Sequence, residues 1–173
     1  FRRARAAVVY DDIPRRMIIR FKHADRLDLR QALVAWLRRA GAELVPQADV
    51  IIPVPLHPRR LFQRKYNQSA VLAQQFSTLT GIPYEPLALV RRRATPAQGS
   101  FNRSQRWRNV RGAFVVPEEA AALVKDRTVL LIDDVFTTGA TAHHASLALG
   151  RAEAAHVDVL SLARVVLPSD PAI

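Results

Sequence analysis

Asp133 and Asp134 are adjacent carboxylates, and after Val135 and Phe136 come Thr137, Thr138, Gly139, Ala140 and Thr141. Ahead of the acids runs Val129-Leu130-Leu131-Ile132, a branched apolar segment of the kind that forms a strand buried on both faces. The acids then fall where that strand should end, and residues 142–150 read as a helix. In an open α/β sheet, ligands gather beyond the carboxyl ends of the strands. A helix start adds unpaired backbone N–H groups and a positive dipole end, which together seat an anion. One unit thus offers carboxylates to hydroxyls or a metal ion, beside a cradle for a phosphate. A phosphorylated sugar carries both kinds of group.

The elements that must position this unit follow from periodicity. Residues 6–10 predict a short strand, and Pro14 opens a helix with Met17, Ile18 and Phe21 on its apolar face. Leu29, Leu33, Trp36 and Leu37 predict a second amphipathic helix over residues 26–40, with Gly41 as its cap. Residues 49–54 read as a strand. Pro53, Pro55 and Pro58 stop it and make the following loop rigid and compatible with a cis peptide. Asn67 is an N-cap for a helix over residues 68–79. Residues 87–90 predict a further strand, and the stretch 91–111 a mobile basic loop followed by a short helix near residues 103–110. Residues 113–116 and 156–166 close the series as strands. Strands alternating with helices indicate an α/β fold with a mainly parallel central sheet flanked by helices.

At 173 residues, 49% hydrophobic and 24% charged, the chain is an ordinary globular domain. No apolar run approaches the roughly 20 residues of a membrane helix, and no secretory signal is expected. A cytoplasmic location without membrane insertion is expected. The absence of cysteine excludes disulfides, zinc–thiolate sites and a cysteine nucleophile within these residues. The net charge of +11 is concentrated in the middle. Arg59, Arg60, Arg64, Lys65, Arg91, Arg92, Arg93, Arg103, Arg106, Arg108 and Arg111 face a single acid, Glu85. Arginine's planar fork suits bidentate phosphate contacts, so a polyanionic partner is expected, either a phosphosugar or a nucleic acid. Trp107 lies among these cations, where it could stack on a base or cover a core edge.

Rival readings of the acid pair lack their partner motifs. A nucleoside-triphosphatase acid strand needs a G-x-x-x-x-G-K-[ST] loop, and no glycine here precedes a Lys-Ser or Lys-Thr pair. A response-regulator acid pair would lie on the first strand. A dinucleotide fingerprint needs three closely spaced glycines, whereas Gly139 stands alone.

Four apolar residues, two acids, four residues, glycine, one residue and threonine resemble the ribose-phosphate motif of type I phosphoribosyltransferases. The resemblance implies that Asp133 and Asp134 face the ribose hydroxyls and that Thr137, Thr138, Gly139, Ala140 and Thr141 hold the 5-phosphate. It also implies Mg2+ near Asp133 and Asp134, held directly or through ligand and water. A narrower likeness covers nearly all of the chain. Ile52-Pro53-Val54-Pro55-Leu56-His57-Pro58-Arg59-Arg60, Tyr66-Asn67-Gln68 and Thr95-Pro96-Ala97-Gln98 are similar to the competence protein F (ComF) family. So are Arg103, Arg106, Asn109-Val110 and Ala113-Phe114. That family is related to the transferase half of amidophosphoribosyltransferase.

By this resemblance Val54, Pro55, Leu56, His57, Arg59 and Arg60 form a pyrophosphate loop. Arg91, Arg92, Arg93, Thr95 and Gln98 belong to a flexible loop, and Arg103 and Arg106 act with the acids on phosphoribosyl pyrophosphate. Residues 1–45 are expected to be an N-terminal extension and residues 46–173 the phosphoribosyltransferase-like domain. Members commonly carry an N-terminal four-cysteine zinc ribbon, so its absence implies that such a ribbon was removed. Purine-salvage relatives place an acid where Thr137 stands, so hypoxanthine or guanine is not the expected acceptor; no cluster marks another. Two functions remain: transfer of ribose 5-phosphate with release of pyrophosphate, or binding without turnover. The second includes metabolite sensing and single-stranded DNA binding through Arg64, Lys65, Trp107, Arg108 and Arg111 during DNA uptake. A homodimer or a partner in the competence machinery fits either function.

Overall fold

A computed structural model describes residues 1–23, 27–94 and 103–166. Four strands form a parallel sheet in the order β1-β6-β5-β2: β1 (Arg3–Val9), β2 (Val50–Pro53), β5 (Thr128–Phe136) and β6 (His156–Arg164). This is the expected α/β architecture. The helices are α1 (Asp12–His23), α2 (Arg30–Ala40), α3 (Pro58–Arg64), α4 (Gln68–Thr80), α5 (Arg103–Val110) and α6 (Ala140–Arg151). Strands β3 (Val90–Arg91) and β4 (Phe114–Val115) make a small antiparallel pair beside the sheet.

The apolar run of β5 is buried on both faces, as its composition predicts. Val129 and Leu131 join Val157, Val159, Ala145, Leu149, Val110 and Phe114 on the side covered by α6, α5 and the β3–β4 pair. Leu130 and Ile132 join Leu160, Leu162, Leu33, Leu37, Leu72 and Phe76 under α2 and α4. Ile18 and Phe21 bring α1 into the second layer. The first 45 residues thus supply the edge strand β1, hydrogen-bonded along β6, and two helices of one layer.

Several element boundaries differ from the sequence reading. Strand β5 does not end at the acids. It continues to Phe136 because β6 runs on beside it, pairing Val135 with Ala163 and Phe136 with Arg164. The neighbouring β2 stops at Pro53, opposite Ile132, so the acids emerge along that side only. Helix α3 was hidden by the prolines: Pro58 occupies its first turn, and Leu61 and Phe62 point outward rather than into a core. Leu87 is 75% exposed, and β3 begins three residues later. Gly41 is the C-cap of α2 as expected, its N–H donating to the Leu37 carbonyl at 2.8 Å, but with φ of −91° rather than a left-handed conformation. A Cβ there would lie 2.7 Å from Leu160 Cδ2, so close approach of α2 to the sheet is what requires glycine. Residues 27–29 form a 3-10 turn ahead of α2, and no cis peptide occurs among the described residues.

Candidate functional site

The site assembles at the end of the sheet where β2 stops. Asp133 is buried and Asp134 half-buried. Asp133 Oδ1 accepts the Asp134 backbone N–H at 2.8 Å and, more weakly, the Ser69 hydroxyl at 3.4 Å. Thr137 and Thr138 follow the strand, and Gly139 occupies the N-cap of α6 with φ of 76°. A Cβ at Gly139 would meet the Phe136 ring at 3.0 Å, so neither the backbone angle nor the space favours another residue. Ala140 and Thr141 begin the helix, with the N-terminal N–H groups of α6 at the loop.

The segment after β2 is fastened to the same end. Val54 N–H donates to the Ile132 carbonyl at 2.8 Å, continuing the ladder by one bond. Asn67 caps α4 as expected, its Oδ1 accepting from Ser69 N–H at 3.1 Å. Its Nδ2 also donates to the Val54 carbonyl at 3.0 Å, which joins the proline loop to α4. Val54 and Pro55 are buried and Leu56 is half-buried. His57 has a turn-building role: Nδ1 accepts the Arg59 N–H at 3.2 Å and caps α3. Lys65 ends α3 in a left-handed conformation, and Arg64 donates to Gln68 Oε1 at 3.2 Å.

Two arginines lie within electrostatic reach of the acids. Arg60 is half-buried; burial and Arg64 depress its pKa, while Asp134 opposes the shift. Arg91 is 6% exposed, and its guanidinium lies 5.3 Å from the centre of the Phe114 ring. Burial first, then Arg60, pushes its pKa down to about 10, against the attraction of Asp133. Arg91 therefore does not belong to an exposed loop: strand pairing buries it, while Arg92 and Arg93 are exposed. Arg93 holds the end of α5, donating to the carbonyls of Asn109 at 2.9 Å and Arg111 at 2.7 Å.

Thr95 and Gln98 lie outside the described residues, as does the side chain of Arg103 at the start of α5. Arg106 and Trp107 are half-buried, and Arg108 and Arg111 exposed. The Trp107 ring packs on His143 and His144 of α6, with centroids 4.8 and 5.7 Å away. The structure thus gathers the acids, the threonine–glycine loop, Arg60 and Arg91. It adds Ser69, the second bond of Asn67, and Phe62, which is 89% exposed on α3 between Arg59 and Lys65. The amide of Asn67, able to donate and accept at once, was the available signal for its second bond.

An α/β protein with paired acceptor carboxylates and an open helix start at one end of a parallel sheet is the class this geometry defines. Its curated relatives include the DNA utilization protein YhgH of Escherichia coli O157:H7, 33% identical over 157 residues. They also include Competence protein F of Haemophilus influenzae, 32% identical over 157 residues. These matches cover 87% and 86% of the present chain, which spans 66% of the length of each relative. The chain is a homologue of these DNA utilization and competence proteins. No family model matches it. Among solved structures it is similar to a glutamine phosphoribosylpyrophosphate amidotransferase from B. subtilis. That likeness has 24% identity and a TM-score of 0.49, over 75% of this chain and 25% of that one. It is also similar to a purine phosphoribosyltransferase from Pyrococcus horikoshii Ot3, at 17% identity and a TM-score of 0.47, over 83% and 91%. No helix among the described residues is long and apolar enough to cross a membrane.

Proposed function

We propose that this protein binds phosphoribosyl pyrophosphate with Mg2+ at the Asp133–Thr141 unit. The observation that carries the reading is the placement of buried Asp133 and half-buried Asp134 next to the Gly139 start of α6. Carboxylates accept from ribose hydroxyls, and the Thr137–Thr141 backbone and hydroxyls receive the 5-phosphate. In this reading Arg60 and Arg91, coupled electrostatically to the acids, balance pyrophosphate charge. Among the described residues no three His, Cys, Asp or Glu groups cluster. Asp133 and Asp134 are the carboxylates that would stand beside Mg2+ carried in on ligand phosphates. The ion would neutralise charge on the leaving group. If the protein turns over, it transfers ribose 5-phosphate to a nucleophile and releases pyrophosphate.

Calorimetry with phosphoribosyl pyrophosphate and Mg2+ tests the reading. Binding is expected in the wild type, and loss of at least about tenfold in affinity on Asp133→Asn. Wild-type protein that releases no heat and shows no saturation would end it. A pyrophosphate-release assay across candidate acceptors then separates transfer from binding alone.

A second reading has its own observation. Phe62 is 89% exposed on α3, with exposed Arg59 and Lys65 on either side. An aromatic face between cations suits single-stranded nucleic acid, where stacking contributes about 1–3 kcal/mol per base. Such binding should weaken steeply from about 50 to about 200 mM salt and fall on Phe62→Ala. A flat salt dependence removes it.

A further inference from the structure

The chain leaves the sheet at Val54, turns through α3 and joins α4 at Asn67. Those two residues are 13 positions apart, and Asn67 Nδ2 donates to the Val54 carbonyl at 3.0 Å, closing the base of the excursion. Val54 N–H donates to the Ile132 carbonyl at 2.8 Å, and the next residue, Pro55, has no N–H to extend the ladder. Val54 is thus held through both backbone groups at the point where β2 gives way to loop.

Asn67 is bonded on its other side as well. Its Oδ1 accepts from Ser69 N–H at 3.1 Å, and Ser69 Oγ donates to Asp133 Oδ1 at 3.4 Å. Because Asp133 follows Ile132 in β5, these bonds form a closed circuit from Ile132 through Val54, Asn67 and Ser69 to Asp133. Val54, Ser69 and Asp133 are buried. Capping α4 requires an acceptor alone, which a serine or threonine would supply. A carboxamide adds the donor that spans to Val54. No residue of α3 is buried, so a core does not hold that helix. Its exit is tied by Arg64 to Gln68 Oε1 at 3.2 Å and by the Tyr66 hydroxyl to the Phe21 carbonyl. The bond from Asn67 to Val54 ties its entry. Arg60 stands in the first turn of α3, nearer that entry, and is coupled electrostatically to Asp134.

We propose that Asn67 is a positioning residue: its bond to the Val54 carbonyl fixes the entry of the 55–66 segment against the acid strand and so sets Arg60 for the pyrophosphate end of the ligand. This inference rests on the ribose-phosphate reading above and adds to it a residue that acts through another. Loss of the Asn67 donor frees the entry of the segment and leaves the cap of α4 replaceable. The ribose end is better insulated, because Asp134 N–H holds Asp133 Oδ1 by the shorter bond, at 2.8 Å. Asn67 therefore governs the preference for a pyrophosphate-bearing ligand over the same sugar phosphate without pyrophosphate.

Asn67→Ser is the informative variant, since serine keeps the cap acceptor and lacks the donor that reaches Val54. Amide hydrogen exchange without ligand should quicken over residues 56–66 in Asn67→Ser and stay at wild-type rates along α4. Asn67→Ala, which removes cap and donor together, should quicken both. Calorimetry should then compare phosphoribosyl pyrophosphate with ribose 5-phosphate, each with Mg2+, on wild type, Asn67→Ser, Arg60→Ala and the Asn67→Ser/Arg60→Ala double variant. Asn67→Ser should weaken the pyrophosphate-bearing ligand about tenfold and ribose 5-phosphate less than about twofold. The double variant should lose little more than Arg60→Ala, because both changes remove the same interaction. Unchanged exchange over residues 56–66, equal loss for both ligands, or additive loss in the double variant would overturn the positioning role. If wild type binds both ligands and Asn67→Ser alters neither affinity, that role alone falls. If wild type binds neither, the ribose-phosphate reading falls and takes the role of Asn67 with it.

Discussion

Ser69 Oγ donates to Asp133 Oδ1 at 3.4 Å, joining the first turn of α4 to the acid strand across 64 positions of sequence. The same oxygen accepts the much shorter bond from Asp134 N–H, at 2.8 Å. The backbone bond therefore orients the carboxylate, and the serine adds a weak second restraint. Ser69→Ala should weaken phosphoribosyl pyrophosphate by up to about threefold. Asp133→Asn keeps an oxygen for both donors but removes the charge, and should cost far more. Titration calorimetry of the two variants checks the ranking; equal losses would mean that Ser69 orients the acid after all.

Gly139 should be the least replaceable residue of the Thr137–Thr141 loop. Its φ of 76° and the Phe136 ring 3.0 Å from any Cβ act together. Gly139→Val should lower stability by roughly 1–3 kcal/mol and abolish ligand binding. Gly139→Ala combined with Phe136→Leu relieves the ring contact and leaves the backbone strain, so only part of the loss should return. Thermal unfolding of the single and double variants measures each share. Full recovery would show that strain at φ contributes nothing.

Asp158 sets an acid limit on stability far from the site. Burial alone would raise its pKa, but hydrogen bonds from Arg2 at 2.7 Å and Arg3 at 2.6 Å outweigh that and hold it at about 2. Gln47 accepts from both guanidinium groups and completes the cluster. A depressed carboxyl binds fewer protons folded than unfolded, so its contribution is full above about pH 4 and lost as pH falls towards 2. Asp158→Asn should cost about 2 kcal/mol near neutrality and flatten that part of the acid limb. Urea unfolding at a series of pH values reads both effects. An unchanged acid limb would separate the shift from stability.

Much of the architecture was readable because burial leaves a periodic trace. Val129 to Ile132 announced a strand covered on both faces, and Leu33 and Leu37 announced a helix on a core. Helix α3 left no such trace, since Phe62 is exposed and its start carries a proline. Arg91, Arg92 and Arg93 look alike in sequence, and only pairing with Phe114 decides that Arg91 is the buried one. The acid pair and Gly139 were visible through local spacing. The Ser69–Asp133 and Trp107–His143 contacts join distant segments, and no local pattern encodes them.

The unequal lengths of β2 and β5 also decide an order of encounter. Because β2 stops at Pro53 while β5 runs on beside β6, the acids open sideways, toward the segment that leads into α3. In that segment Arg59 is exposed and Arg60 half-buried, while Asp133 is buried and Asp134 half-buried. If a polyanion binds here as proposed, capture and grip fall to residues of different exposure. Arrival should respond to ionic strength, whereas departure is governed by the buried end of the path.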